Sequence, residues 1–233
     1  MIRNYDDFVA KLLEVGFAMG GGNSEGIYTI VPWNWNEEPP LDSPIRWHTE
    51  DKETDPWEWR IRVLEERDDI AYAKMFFKKS GFITKRWYPY FLAARRGGLD
   101  FEETYAEGTV SHFAKRIYDV ISAHDRLPLH DIKTLGEFTR DEKAGFDRAL
   151  TELQMKLFIT MCGNQYRISK SGELNRNWPS TVLCTTEKFW GEDVFKKAND
   201  ITPEQAKNEL TAQILMINPS APEKKIIKFI YGS

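Results

Sequence analysis

At 233 residues, with 41% hydrophobic and 29% charged side chains, the chain has the make-up of a folded protein long enough for two or three small modules sharing a core. A net charge of −4 argues against a general nucleic-acid coat or a membrane-surface protein, both of which favour positive charge, but leaves room for a local basic face. Two cysteines are too few for a disulfide framework, the first residues lack the apolar run of a signal peptide, and no segment reaches membrane-spanning length, so a cytoplasmic protein with no membrane partner is expected.

Tyr5, Phe8, Val9, Leu12 and Leu13 recur at helical spacing, predicting an amphipathic helix over 5–16 that Gly20, Gly21 and Gly22 close off. Ile27, Tyr28, Ile30 and Val31 then read as a strand. Residues 32–56 are loop-like, rich in Pro, Asn, Glu and Asp, while Trp33, Trp35 and Trp47 indicate that the loop packs onto something. Asp55-Pro56 is a strong helix start, with Asp as N-cap, Pro in the first helical position and Glu58 three residues past the cap. That helix should run to about Asp68 with Trp57, Ile61 and Leu64 on one face. Residues 70–78 read as a buried strand with Gly81 in the turn. Thr84 is placed to cap a helix carrying Trp87, Phe91 and Leu92, stopped by Gly97-Gly98. A short helix follows Asp100 and ends near Gly108.

Ser111 can cap a helix with Phe113, Ile117, Val120 and Ile121 at a 3.6-residue period, broken at Leu127-Pro128. A shorter helix carries Ile132, Leu135 and Phe138. Thr139 to Glu142, T-R-D-E, reads as a capping box opening a third helix with Phe146, Leu150, Leu153 and Leu157 on one stripe. Residues 158–161 form a strand, Ser171-Gly172-Glu173 a turn, and 180–183 the returning strand. Helix, short helix, longer helix and hairpin is the order of a winged helix–turn–helix, whose third helix is normally offered to the DNA major groove. The tail starts as a helix capped at Thr202 and running through Leu215. It finishes in Ile226, Ile227, Phe229 and Ile230, an apolar end that docks on its own core or on a second subunit.

The expected fold class is therefore α+β. A winged helix–turn–helix over 109–184 follows an N-terminal α+β module over 1–108, and a C-terminal helical extension over 185–233 packs on the core.

Residues 74–96 hold Lys74, Lys78, Lys79, Lys85, Arg86, Arg95 and Arg96 with no acidic residue, interleaved with aromatic rings. Positive charge beside stackable rings suits nucleic-acid backbones and unstacked bases. Residues 36–70 are acidic by contrast, so surface pairing of the two segments is the plainer explanation. Candidate DNA contacts are Lys78, Lys79, Lys85 and Arg86 in this segment, Arg140, Lys143 and Arg148 on the third helix, and Arg167, Lys170 and Arg176 on the wing. Asp141, Glu142, Asp147 and Glu152 balance the third helix, which weakens the case because affinity for DNA depends on neutralising phosphates. A winged helix that binds protein stays open.

His48, His112, His124 and His130 show no metal-ligand spacing, and no nucleophile elbow, phosphate loop or dinucleotide fingerprint is present. No metal or cofactor is expected. The best polar constellation is Trp47, His48, Trp57, Trp59 and Arg60 beside Asp55 and Glu58, which could line a base-sized pocket or serve an enzyme acting on a small substrate.

Two blocks, WHTEDKETDPWEWRIRVLEERDDIAYAKMFFKKSGFITKRWYPYFLAARR over 47–96 and ALTELQMKLFITMCGNQYRISKSGELNRNWPST over 149–181, resemble bacterial AlkZ-related proteins. That label links them to winged-helix DNA glycosylases of the AlkZ type, which excise alkylated or cross-linked bases. The resemblance implies tandem winged helices wrapping DNA, a hairpin reaching the lesion, and an N-terminal half that is a second, degenerate winged-helix-like module. Those glycosylases position water with a Gln-x-Gln or Gln-x-Asp signature. Here Gln154, Gln165, Gln205 and Gln213 are followed two places on by Lys156, Arg167, Lys207 and Leu215, so no catalytic residue carries over. A DNA-binding relative without that catalytic signature, a protein-interaction module and a small-substrate enzyme are the three readings.

Overall fold

The computed structural model describes residues 1–168 and 174–232. Helix α1 (Tyr5–Val15) starts where the Asn4 side chain accepts the Asp7 amide, and buries Tyr5, Phe8, Val9, Leu12 and Val15. It ends at Gly16 rather than at Gly20–Gly22, because strand β1 (Phe17–Met19) follows at once. The strand expected over 27–31 is not formed; a single bridge joins Thr29 to Met19. Ile27, Ile30 and Val31 are buried without being paired, which leaves the same apolar pattern in the sequence.

Asp55 caps helix α2 (Pro56–Glu66), accepting the Trp57 amide at 2.8 Å. Its core face is Trp59 and Val63, one turn apart, not the expected Trp57, Ile61 and Leu64, which are half-buried. Trp57 faces the preceding loop, its ring 4.8 Å from that of His48.

Strands β2 (Ile70–Phe76) and β3 (Lys79–Thr84) form a hairpin whose turn is Phe77-Lys78, both in the left-handed region. Gly81, expected in that turn, lies in β3 opposite Ala73. A Cβ there would stand 2.5 Å from the Phe76 ring and 2.8 Å from the Ala18 carbonyl oxygen, so the glycine serves a close approach of three strands. Thr84 ends β3 and caps nothing; α3 (Tyr88–Arg96) opens after Trp87 with Pro89 in its first turn. Helix α4 (Phe101–Ala106) opens on a full capping box between Asp100 and Glu103.

Ser111 caps α5 (His112–Ser122), which buries Ala114, Ile117 and Ile121. Strand β4 (Leu127–Pro128), helix α6 (Leu129–Leu135) and helix α7 (Lys143–Met155) follow, with Leu135 exposed rather than inside. The expected capping box over 139–142 is half made. The Glu142 carboxylate accepts the Thr139 amide at 2.9 Å, but Arg116 of α5 also holds it at 2.6 Å, and the helix opens only at Lys143. Strands β5 (Ile159–Ile168) and β6 (Leu174–Thr185) pair over a longer span than expected; the turn at 171–173 lies outside the described residues.

Helices α8 (Thr186–Trp190) and α9 (Glu192–Asn199) have no counterpart in the sequence reading. Helix α10 (Pro203–Ile217) has the capping box from Thr202 to Gln205, and α11 (Glu223–Tyr231) buries Ile226, Phe229 and Ile230 while Ile227 stays exposed. Phe229 stacks on Phe76 at 3.8 Å, so this apolar end docks on its own core.

The chain is thus a mixed α and β structure. Among the described residues, its six strands form one antiparallel sheet in the order β1-β3-β2-β5-β6-β4. That order is a palindrome by role. In each half two longer strands make a hairpin (β2 with β3, β5 with β6), and a short leading strand edges the second of them (β1 on β3, β4 on β6). The halves meet where Tyr72 of β2 stands opposite Met161 of β5. Helices α1 and α2 cover one face of the first half, and α3, α9, α10 and α11 the other. Helices α4 to α7 enclose a further core with Phe158, Ile159 and Leu183.

Candidate functional site

The fold separates the cations of residues 74–96. Lys74, Lys78, Lys79, Lys85 and Arg86 are exposed, whereas Arg95 and Arg96 turn inward. Lys225 and Lys79 both donate to the Glu25 carboxylate, and these two hydrogen bonds pull its carboxyl down to about 2. Arg95 donates to four backbone carbonyls: Ile230 (2.7 Å), Met75 (2.9 Å), Met155 (2.6 Å) and Phe229 (2.7 Å). Three of these oxygens end α7 and α11, where carbonyls lack partners within the helix and the helix dipole is negative. Arg96 pairs with Glu187 at 2.9 Å and lies over the Phe158 ring at 4.4 Å. Phe76, Phe82, Trp87, Tyr88 and Phe91 are buried, so the interleaving of rings with charge in this segment is mainly core packing.

Helix α7 directs Phe146, Ala149 and Leu153 inward, leaving Lys143 and Arg148, with Arg140 just before it, exposed. Its acidic residues are not equivalent. Glu142 is held by Arg116, and Glu152 accepts the Ser111 hydroxyl at 2.8 Å and amide at 3.2 Å at the start of α5. Asp141 and Asp147 remain on the outer side against three cations, so a segment neutral by count is basic on its outer face. At the junction of α6 and α7, Lys133, Arg140 and Lys143 line a shallow cleft of about 350 Å³ together with Phe138, Thr139 and Phe146. Lys133, whose ammonium stands 4.9 Å over the Phe146 ring, escaped the sequence reading. Its place one turn before the helix–helix junction was the available signal. On the hairpin, Lys170 lies outside the described residues, and so do the side chains of Arg167 and Arg176.

Of the tryptophan constellation, Trp47, Trp57 and Arg60 meet in one cleft of about 170 Å³, joined by Trp35, Tyr72 and Lys79. The Arg60 guanidinium sits 3.4 Å over the Trp57 ring. Gly21 forms the floor: a Cβ there would come within 2.6 Å of the Trp47 ring, whose Nε1 donates to the Trp33 carbonyl at 3.0 Å. His48 is exposed at the rim, 6.1 Å from the Trp35 ring. Trp59 lies in the core against Phe8. The Asp55 carboxylate is buried and accepts the amides of Thr49 (2.7 Å), Glu50 (3.1 Å) and Trp57 (2.8 Å), so it organises the loop and the helix start. Sequence reasoning missed Tyr72, which reaches the cleft only because β2 passes beneath it.

Three of the four glutamines have structural partners. Gln154 accepts the Lys74 amide and donates to the Leu150 carbonyl, Gln205 completes the α10 capping box, and Gln213 donates to the Val15 carbonyl at 2.7 Å. Gln165 is exposed beside β6. Among the described residues no group of three His, Cys, Asp or Glu side chains is placed to hold a metal ion. Among the described residues no helix is long and apolar enough to cross a membrane.

The family described as AlkZ related matches residues 2–231, nearly the whole chain. No curated protein and no solved structure matches.

Proposed function

This chain belongs to the AlkZ-related family, and from that premise we propose that it is a DNA-binding protein built on tandem winged helices. The observation that carries the reading is the outer side of α7, where Arg140, Lys143 and Arg148 are exposed against Asp141 and Asp147, while Glu142 is held by Arg116 and Glu152 by Ser111 at the start of α5. The succession α5, β4, α6, α7, β5, β6 supports treating residues 109–184 as a winged helix–turn–helix with α7 as its third helix. On this reading Arg167, Lys170 and Arg176 of the hairpin contact the flanking phosphates.

The palindromic strand order supports the second, degenerate module: α1, β1, α2, β2 and β3 repeat the succession with one helix fewer. Helix α2 then occupies the place of α7. Lys78, Lys79, Lys85 and Arg86 supply further backbone contacts. In the cleft beside α2, Trp35, Trp47, Trp57 and Arg60 accept an unpaired base by stacking. At about 170 Å³ the cleft suits one flat ring system better than a drug-sized ligand, whose pockets run to roughly 300–1,000 Å³. The reading stops at recognition, because no Gln-x-Gln or Gln-x-Asp pair is present to position a hydrolytic water.

Fluorescence anisotropy of the full chain with labelled duplexes, one intact and one containing an unpaired base, tests this. Binding that weakens steeply with salt and favours the unpaired base is expected. No binding to either duplex at low salt would overturn the reading and leave a protein partner as the better account of the module.

A further inference from the structure

We propose that Cys162 and Cys184 form a modification site, a dithiol that a hydroperoxide converts into a cross-strand disulfide at the root of the β5–β6 hairpin. Thr160 stands opposite Cys184 and Met161 opposite Leu183; the register then slips so that Gly163, not Cys162, stands opposite Val182. Cys162 is the extra residue of a β-bulge, and such residues leave the regular alternation and re-aim their side chains. Cys162 lies two residues beyond Thr160, the partner of Cys184, and Cys162, Cys184 and Val182 form a small buried cluster against Phe189. Both cysteines are free.

The two thiols lie in one buried cluster. The neighbouring Cys184 thiol, helped by the charge of Arg126, lowers the pKa of Cys162, while Cys162 beside it and burial raise that of Cys184. Closing the pair to a sulfur–sulfur bond of about 2 Å asks the strands to adjust at the bulge. The neighbouring Gly163, at φ +147° with nothing within 4 Å of a would-be Cβ, lets the backbone turn without a clash. Access comes from a polar cleft of about 810 Å³ between the end of α2 and the hairpin root, lined by Arg126, Cys162 and Gly163. A small polar oxidant meets Cys162 there, with Cys184 behind it.

In the first step the Cys162 thiolate attacks one peroxide oxygen. The O–O bond breaks, a sulfenic acid forms, and the second oxygen leaves as water, or as an alcohol from an alkyl hydroperoxide, carrying the Cys162 proton. In the second, the Cys184 sulfur attacks the Cys162 sulfur, its proton joins the departing hydroxyl, and water leaves. The dithiol loses two electrons and the peroxide gains them.

The test treats the native full chain with hydrogen peroxide, alkylates it under denaturing conditions and measures its mass. The expected product is a monomer lighter by two hydrogens with neither cysteine alkylated, giving one linked Cys162–Cys184 peptide that dithiothreitol releases. Cys184→Ser should stop at a sulfenic acid on Cys162 that dimedone traps, and Cys162→Ser should leave Cys184 unoxidised. Two alkylated thiols, an intermolecular disulfide, or sulfinic acid on Cys162 of the unaltered chain would each overturn the proposal.

Discussion

Arg95 of α3 donates through Nη1 to the carbonyl oxygen of Met155, the last residue of α7, at 2.6 Å. The same guanidinium reaches Met75 of β2 and, near the chain's end, Phe229 and Ile230. One half-buried side chain thus ties a strand and three helices. Its charge is matched by the negative ends of α7 and α11 rather than by a carboxylate.

Arg95→Ala should therefore destabilise the fold by about 3 kcal/mol or more, since it leaves four carbonyl oxygens without their charged donor at about 1–3 kcal/mol for each that stays unsatisfied. Arg95→Lys should recover little of this, because an ammonium on a flexible stem cannot serve four oxygens spread around a planar fork. Urea unfolding checks both. A midpoint unmoved by Arg95→Ala would contradict this role.

Gly81→Val tests the close approach at β3. Strand propensity alone favours valine there, but its Cβ would press on the Phe76 ring and the Ala18 carbonyl. A loss of about 1–3 kcal/mol is expected from overpacking, read as a lower thermal midpoint. A rise would show that β1 and the ring yield without cost.

Glu25 makes stability depend on pH. Its folded carboxyl sits near 2, held first by Lys225 and then by Lys79, against about 4.3 for an ordinary glutamate. Above the unfolded value both states are ionised and the pairing contributes fully. As pH falls from about 4.3 towards 2, the unfolded chain takes up its proton first and that contribution is lost. Thermal midpoints across pH 2 to 6 should fall less in Glu25→Gln than in the unaltered chain. Parallel curves would refute the assignment.

Trp57→Ala removes a wall of the aromatic cleft and the platform under Arg60. Stacking of one base is worth about 1–3 kcal/mol, so discrimination between an unpaired base and intact duplex should drop roughly 5- to 150-fold, with duplex affinity little changed. Equal loss on both DNAs would point to a damaged fold and not a stacking site.

Much of the helical framework was legible because helix starts are local: Asp55, Asp100, Ser111 and Thr202 each sit at their cap. Strand boundaries were less so. The turn at Phe77-Lys78 holds no glycine, while Gly81 imitates a turn from inside a strand, and β1 exists only through its pairing with β3. The 74–96 charges could not be sorted from sequence either, since only tertiary packing sends Arg95 and Arg96 inward and leaves Lys78 and Lys85 in water. Likewise Trp47, Trp57 and Arg60 were legible as an aromatic group, but which rings line a cleft and which, like Trp59, fill the core depends on the path of the 32–55 loop.

The most direct measurement is the salt dependence of duplex binding for the unaltered chain and for Arg140→Glu/Lys143→Glu/Arg148→Glu. If α7 presents its basic face to DNA, the logarithm of affinity should fall linearly with that of salt. The slope should shrink by about 0.9 for each phosphate the variant no longer neutralises, with affinity at low salt down by about tenfold or more and the thermal midpoint unchanged. Identical slopes and affinities for the two proteins would contradict the account.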